Sequence, residues 1–125
     1  MLPRTRLRLH PMTNESSPTP TENTVLLIGE FRTVSRKTET KTGALMVRRV
    51  ISIARHWTDA DGRFREEYDE FEVSSWGQVA EKILSIESGA LVRVKGRVKV
   101  EKWSEGGETK SAVRIAAENV TLLCY

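Results

Sequence analysis

The feature that most constrains the fold is the near-strict alternation of apolar and charged residues between Leu91 and Trp103. Side chains of a β-strand point alternately to opposite faces, so this alternation predicts a strand with one apolar and one polar face. We expect the apolar face, which consists of β-branched side chains, to lie in the core. Its members are Val92, Val94, Val98 and Val100.

The opposite face of this predicted strand combines four cations with an indole. It carries Arg93, Lys95, Arg97, Lys99, Glu101 and Trp103. Single-stranded nucleic acid is held by such a combination, because cations follow the phosphate backbone while aromatic rings stack on bases. A solvated strand face, with the tryptophan covering a hairpin, explains the same pattern when this strand is considered alone.

Four more strands are predicted around this one, from β-branched runs bounded by turn residues. Gly29 is expected to end the first strand, and the polar segment Arg32–Gly43 is expected to be a loop. Turn residues at 59–62 and 105–108 predict two hairpins. The five strands are expected at Val25–Ile28, Leu45–Trp57, Arg65–Trp76, Leu91–Trp103 and Thr109–Ala117, with Val120–Leu123 packing after the last.

One helix is predicted between the third and fourth strands. Val79, Ile83 and Ile86 recur at a spacing that places them on one helical face, and Ser88 and Gly89 are expected to end the helix. Five strands with a helix in this position are the element order of the oligonucleotide-binding fold. The predicted fold class is therefore all-β with one short helix, arranged as a five-stranded barrel.

Residues 1–22 differ in composition from the rest of the chain. They carry four prolines and a Ser/Thr/Asn-rich stretch without apolar periodicity, which predicts a disordered N-terminal arm before one domain at 23–125. Three interpretations of Arg4, Arg6 and Arg8 remain open. The first is an organellar targeting peptide, and the second is a basic arm that contacts the phosphate backbone. In the third, the translation start is assigned too far upstream and Met12 is the true first residue.

Composition excludes several function classes. A single cysteine, Cys124, excludes an intramolecular disulfide, and His10 and His56 lack the spacing of a zinc site. No apolar run approaches the length of a membrane span, so no membrane association is expected. A net charge of +3 permits a polyanionic partner without requiring one. The chain also lacks the motifs of a nucleophile or phosphate loop, so we expect no enzyme activity, cofactor or metal.

The second and third predicted strands carry further aromatics, for which a core or interface position is the alternative to a binding role. Arg49, Ile51, Ile53, Arg55 and Trp57 would share one face, and this mixture of types predicts a bend or a bulge in the second strand. Acidic residues of the third strand would repel phosphates if they faced the groove, so we expect some of them to face away. Their expected partners are Arg48, Arg49 or the fourth-strand cations, within the barrel or across a subunit boundary. These acids are Glu66, Glu67, Asp69, Glu70 and Glu72.

Six segments of this chain resemble bacterial single-stranded DNA-binding proteins in order and spacing, over about residues 23–123. The opening strand matches at Asn23–Gly29 and the strand-to-helix junction at Trp76–Glu81. The others are Arg55-His56-Trp57, Asp69-Glu70-Phe71, Ser88-Gly89, and Lys95-Gly96-Arg97 through Lys102-Trp103.

The resemblance implies sequence-tolerant binding of single-stranded DNA in replication, recombination and repair, in the bacterial cytoplasm or, with a targeting peptide, in an organelle. It also implies a homo-oligomer, usually a tetramer, with a dimer as the alternative. Base stacking is implied for the aromatics that match the family's stacking positions, which are Trp57, Phe71, Trp76 and Trp103. We expect the phosphate contacts to come from Arg55, Arg93, Lys95, Arg97, Lys99 and Lys102.

The chain departs from the family pattern at its end. Family members usually continue into a flexible tail with an acidic tip that recruits repair enzymes, whereas this sequence ends at Tyr125. Recruitment of that kind is therefore not expected. Two alternatives to the DNA-protecting role are a tailless accessory resembling the primosomal replication protein and a protein-interaction scaffold of the same fold.

Overall fold

The computed structural model describes residues 19–125, so residues 1–18 of the predicted arm lie outside the described part. The strands are β1 (Val25–Glu39), β2 (Leu45–Thr58), β3 (Phe64–Trp76), β4 (Leu91–Glu105) and β5 (Glu108–Cys124), and the helix α1 (Gly77–Ser85) lies between β3 and β4. They close into a barrel in the order β1-β2-β3-β5-β4. The predicted five-stranded barrel with one helix is confirmed.

The core fills the barrel and continues under α1, whose Ala80 and Ile83 are buried. All strand pairs are antiparallel except a short parallel contact between β3 and β5 at Val73 and Ser74. The remaining buried apolar residues come from every strand and from the segment after the helix. They are Phe31, Val47, Ile51, Val73, Ile86, Ala90, Val92, Val94, Ile115, Ala116 and Val120.

The first strand is much longer than the sequence predicts. It continues through Gly29, where an added Cβ would lie 2.5 Å from the carbonyl oxygen of Ser52, so glycine permits the close approach of β2. The segment predicted as a loop at Arg32–Gly43 is strand as far as Glu39. That prediction was wrong because backbone pairing with β2 holds these polar residues, while bulges between Phe31 and Arg36 bend the strand.

Only part of the valine face of β4 lies in the core. Val92 and Val94 are buried, but Val98 and Val100 are 38% and 56% exposed, so the prediction of four core valines was half wrong. The reason is that β4 pairs with β1 only as far as Gly96. Beyond that residue β4 pairs with β5 alone, and past Val98 the two strands form the β4–β5 ribbon. The Asn23 side chain hydrogen-bonds both backbone groups of Val98.

Of the bend or bulge predicted in β2, the bulge is absent from the pairing with β3, which is unbroken from Met46 opposite Trp76 to Thr58 opposite Phe64. The mixed face has another origin. Arg49 is buried beside Ile51, and the strand then leaves the barrel, so Arg55 on the same face is exposed. The irregularities of the β1–β2 pair lie in β1.

Two boundaries differ from the predicted ones by smaller amounts. The helix ends at Ser85, before the expected Ser88 and Gly89, and β5 is one continuous strand to Cys124. Among residues 19–125, no helix is long and apolar enough to span a membrane.

Candidate nucleic-acid interface

The four predicted stacking aromatics all lie at the surface of the protomer. The exposed fractions are 37% for Trp57, 41% for Phe71, 37% for Trp76 and 40% for Trp103. Side chains of this size exposed to this degree contribute little to the core, where rings such as Phe31 are fully enclosed. Within the protomer, the core interpretation of these aromatics is therefore excluded.

The strand register separates two of these aromatics from a third. Residues directly opposite each other in an antiparallel pair point to the same face. Phe71 lies opposite Ile51 and Trp57 lies opposite Arg65, so both aromatics are on the face that continues from the core. Trp76, opposite Met46, is on the other face, which carries Arg48 and Glu72 as well.

Trp57 lies near the tip of the β2–β3 hairpin, where its ring is covered by Arg55. The guanidinium carbon of Arg55 is 4.9 Å from the ring centroid. The same guanidinium donates to Asp69 at 3.1 Å and to Glu67 at 2.9 Å, and these bonds, Asp69 first, raise its pKa. The Arg55 guanidinium therefore lies over the Trp57 ring with its charge balanced by two carboxylates, and it is not a free cation.

Trp76 is placed at the junction between β3 and α1. Gly77, with φ of +65°, turns the chain into the helix at a backbone conformation that favours glycine. The Nζ atom of Lys99 on β4 lies 4.6 Å from the centroid of the Trp76 ring. This contact connects the aromatic of one strand to the cationic face of another.

Trp103 lies on the β4–β5 ribbon, on the same face as Lys99. Its Nε1 donates to the Glu105 carboxylate at 3.3 Å, and the Arg114 guanidinium is 6.0 Å from its ring centroid. Trp103 lines a surface groove of about 740 Å³. We call this the Trp103 groove; its other lining residues are Arg36, Arg48, Lys99, Val100, Glu101, Lys102 and Arg114.

Ion pairs in the Trp103 groove converge on Glu101. Its carboxylate accepts from Arg48 at 3.1 Å, lies 3.6 Å from the Lys99 Nζ and is hydrogen-bonded by Arg114. Arg114 also donates to Glu72, and these bonds, with Glu72 first, raise the pKa of Arg114. One carboxylate is thus shared by three cations.

The predicted phosphate-binding cations are not gathered in one place. Lys99 and Lys102 line the groove, although Lys102 lies on the opposite strand face. Arg93 and Lys95 lie nearer the barrel, opposite Ile28 and Leu26 of β1. At about 3.3 Å per residue, Arg93 is roughly 33 Å from Trp103 along β4.

Arg93, Lys95, Arg97 and Lys102 are exposed and form no ion pair with another of residues 19–125. Unpaired cations keep their full attraction for a polyanion, unlike Arg55 and Lys99, which already contact carboxylates. The stripe on β4 is therefore available for phosphate.

Within the protomer, the acidic residues of β3 do not pair with the partners expected from the sequence, whereas pairing across a subunit boundary stays a prediction. Arg48 pairs with Glu101, and Arg49 contacts no carboxylate among residues 19–125. The side chains that contact these acids come from β1, β2 and β5, because these strands flank β3 or lie close to it. The pairs are Glu66 with His56, Glu67 and Asp69 with Arg55, Glu70 with Arg32, and Glu72 with Arg114.

Sequence reasoning missed three cations of the groove, Arg36, Arg48 and Arg114. Arg36 fell in the segment expected to be a loop, and pairing of β2 with β3 decides which of Arg48 and Arg49 points outward. One signal was present in the sequence. Glu101 interrupts an otherwise cationic strand face, which indicates a local acceptor for neighbouring cations. Residues 19–125 contain no group of three or more His, Cys, Asp or Glu side chains placed to hold a metal ion.

Residues 22–123 match the model of the single-strand binding protein family. A curated relative, the single-stranded DNA-binding protein of Aquifex aeolicus, is 35% identical over 102 residues, which are 81% of this chain and 69% of that protein.

Two solved structures resemble the fold. The wild-type single-stranded DNA binding protein of Thermus aquaticus superposes with a TM-score of 0.68 at 30% identity, covering 82% of this chain and 50% of that one. The chain thus spans about half the length of that protein. A Plasmodium falciparum SSB complex with ssDNA has a TM-score of 0.73, covering 86% of this chain and 99% of that one, and at 16% identity it supports the fold alone.

Proposed function

Because the chain belongs to the single-strand binding protein family, we propose that it binds single-stranded DNA with little sequence preference, by stacking and phosphate contacts. The observation that carries the proposal is the exposure of four aromatic rings together with the unpaired cations of β4. Every base has a π-face, so such a surface tolerates any sequence.

Stacking is proposed on both hairpins. Trp57 and Phe71 share one face of the β2–β3 hairpin. Trp103 lines the Trp103 groove, and Trp76 contacts Lys99, which lines the same groove. A strand that contacts all four rings must therefore pass from one face of the sheet to the other. Flexible single strands can follow such a path, whereas a stiff duplex with stacked bases cannot.

Phosphate contacts are proposed for the β4 cations Arg93, Lys95, Arg97 and Lys99, together with Lys102 and Arg55. Neutralising phosphates releases condensed counterions, which gives a logarithmic salt slope of about 0.7 per phosphate for single strands. The number of phosphates engaged can therefore be read from the slope.

Titration of the protein with oligo(dT), followed by tryptophan fluorescence, tests the proposal. We expect quenching that saturates at a fixed stoichiometry, affinity that falls as salt rises, and much weaker binding of a duplex of equal length. Affinity that does not change with salt, or equal binding of the duplex, would contradict the proposal. Tyr125→Ala is a matched control, because Tyr125 is an exposed aromatic outside the proposed stacking set.

We propose a homo-oligomer as well, a tetramer or a dimer. Leu26 and Ile28, two residues apart on one face of β1, are more than half exposed. Apolar side chains presented together in this way are typical of a surface covered by another subunit. Light scattering at micromolar concentration tests this proposal, and a monomeric mass would contradict it.

The proposed biological role is protection and organisation of exposed strands in replication, recombination and repair, in the compartment that holds the DNA. No covalent chemistry is part of the proposal. Incubation of radiolabelled oligo(dT) with the protein and divalent cations is expected to leave the oligonucleotide intact.

A further inference from the structure

The Trp103 groove contains more positive charge than its single acid can balance. Five cationic side chains line it, Arg36, Arg48, Lys99, Lys102 and Arg114, against one carboxylate, Glu101. The Glu101 side chain is only 17% exposed, so the contacts it makes are partly shielded from water. Glu101 therefore neutralises, inside the free protein, cations that point into an open groove.

The contacts of Glu101 are those that a backbone phosphate would make. Arg48 and Arg114 donate to one carboxylate oxygen, Oε1, while the Lys99 Nζ lies 3.6 Å from the other, Oε2. Guanidinium groups recognise carboxylates and phosphates through the same donor geometry. Arg48 also has a spare donor, since its Nε is buried without a hydrogen-bond partner among residues 19–125.

We propose that Glu101 is a competing anion, which holds the phosphate position of the Trp103 groove in the free protein and is displaced by a backbone phosphate of the bound strand. The proposal rests on the proposed function and assigns to Arg36, Arg48 and Arg114 a phosphate contact beside the base stacked on Trp103. Arg114 keeps its bond to Glu72 when Glu101 leaves, so its guanidinium remains positioned.

Displacement predicts two measurable consequences. The strand must break existing ion pairs before it gains its own, so the affinity of the native protein is lower than the cations alone would give. A released Glu101 carboxylate also attracts cations from solution, which offsets part of the cation release from the DNA. The salt slope is then shallower than the number of phosphate contacts implies.

Glu101→Gln tests the proposal, because glutamine keeps the shape and one acceptor but removes the charge. We expect this variant to bind oligo(dT) about three- to tenfold more tightly at low salt. We also expect a steeper salt slope, because no carboxylate is released when the strand binds. The matched control is Glu70→Gln, which makes the same change in net charge at a carboxylate that pairs with Arg32 outside the groove. Its affinity is expected to change by less than about twofold.

Affinity of Glu101→Gln that is equal to or below that of Glu70→Gln would overturn the inference, since Glu101 would then be organising the cations rather than competing for them. That result leaves the proposed function intact if all three proteins bind. If none of the three binds oligo(dT), the proposed function fails, and the inference fails with it.

A measurement on the native protein tests the inference without depending on the folding of the Glu101 variant. The Nε–H resonance of Arg48, assigned through Arg48→Lys, is expected to shift in the NMR spectrum as oligo(dT) is added, because its guanidinium changes partner. A resonance that stays in place through saturation of the fluorescence signal would also overturn the inference.

Discussion

Two arginines on one face of β2, six residues apart, differ in burial and in the groups that they contact. Arg49 is 2% exposed and contacts neutral acceptors, the carbonyl oxygens of Arg32, Ile83 and Ile86, at 2.6, 2.6 and 2.5 Å. Arg55 is exposed and contacts two carboxylates. Burial lowers the pKa of Arg49, whereas the hydrogen bond to Asp69 is the main cause of the raised pKa of Arg55.

The difference teaches that the position of an arginine along the strand, and not the residue type, determines its burial and its hydrogen-bond acceptors in this barrel. Arg49 lies against the C-terminal end of α1, where unpaired carbonyls and the helix dipole favour a cation, and its guanidinium packs 4.8 Å from the Phe31 ring. It fixes the helix to the barrel. Arg55 lies on the hairpin beyond the barrel, where its role is tied to Trp57.

The largest effect is expected from Arg49→Leu. The change leaves three carbonyl groups without their donor, and the loss is offset in part because a desolvated charge is removed. We expect the free energy of unfolding to fall by roughly 2 to 4 kcal/mol. Urea denaturation followed by circular dichroism measures it, and a midpoint equal to that of the native protein would show that Arg49 does not hold the helix.

The second effect, on binding rather than stability, is expected at the exposed ends of β2 and β4. Trp57→Ala and Trp103→Ala should each weaken oligo(dT) binding by about 1 to 3 kcal/mol while leaving the melting temperature nearly unchanged. If these indoles were instead subunit contacts, truncation would lower stability or alter the oligomer. Melting curves, light scattering and fluorescence titration on the same samples separate the two outcomes.

The third effect is that of Arg55→Met, the direct counterpart of the Arg49 variant. Arg55 contributes little to stability because water screens its ion pairs, so the melting temperature should stay close to that of the native protein. Oligo(dT) affinity should fall, since Glu67 and Asp69 are left without their cation beside Trp57. A loss of stability matching that of Arg49→Leu would remove the distinction between the two ends of the strand.

Much of the fold could be predicted from the sequence because its strongest signals are local. The alternation in β4, the turn residues at Asp59–Gly62 and the stripe of α1 each specify an element without knowledge of its neighbours. The extension of β1 to Glu39 could not be predicted, since its polar residues are strand only through pairing with β2.

The candidate site was predictable in its members but less so in its arrangement. Strand parity placed Trp103 and Lys99 on one face, as observed, but it could not show that β4 leaves the barrel after Gly96 and exposes Val98 and Val100. The convergence of Arg48, Arg114 and Lys99 on Glu101 joins three strands. The position of Glu101 beside Lys99 is a local signal, whereas its contacts with Arg48 and Arg114 on other strands leave no local pattern.

The smallest effect concerns Asp59 at the tip of the β2–β3 hairpin. Its carboxylate accepts from the backbone amides of Arg63 and Asp61 and from the Arg65 Nε, each within 2.9 Å, and these bonds, with Arg63 first, lower the pKa of Asp59. A depressed folded-state pKa stabilises the turn above the unfolded pKa, about 3.9, and the stabilisation is lost as pH falls through the folded value.

We therefore expect the Asp59 carboxyl to titrate below pH 3.9 by NMR, and Asp59→Asn to remove this part of the acid dependence while the barrel stays folded. A midpoint at or above the ordinary aspartate value would show that the turn bonds do not persist in solution, and Arg55 and Trp57 would then lie on a hairpin less ordered than the strand that holds Arg49.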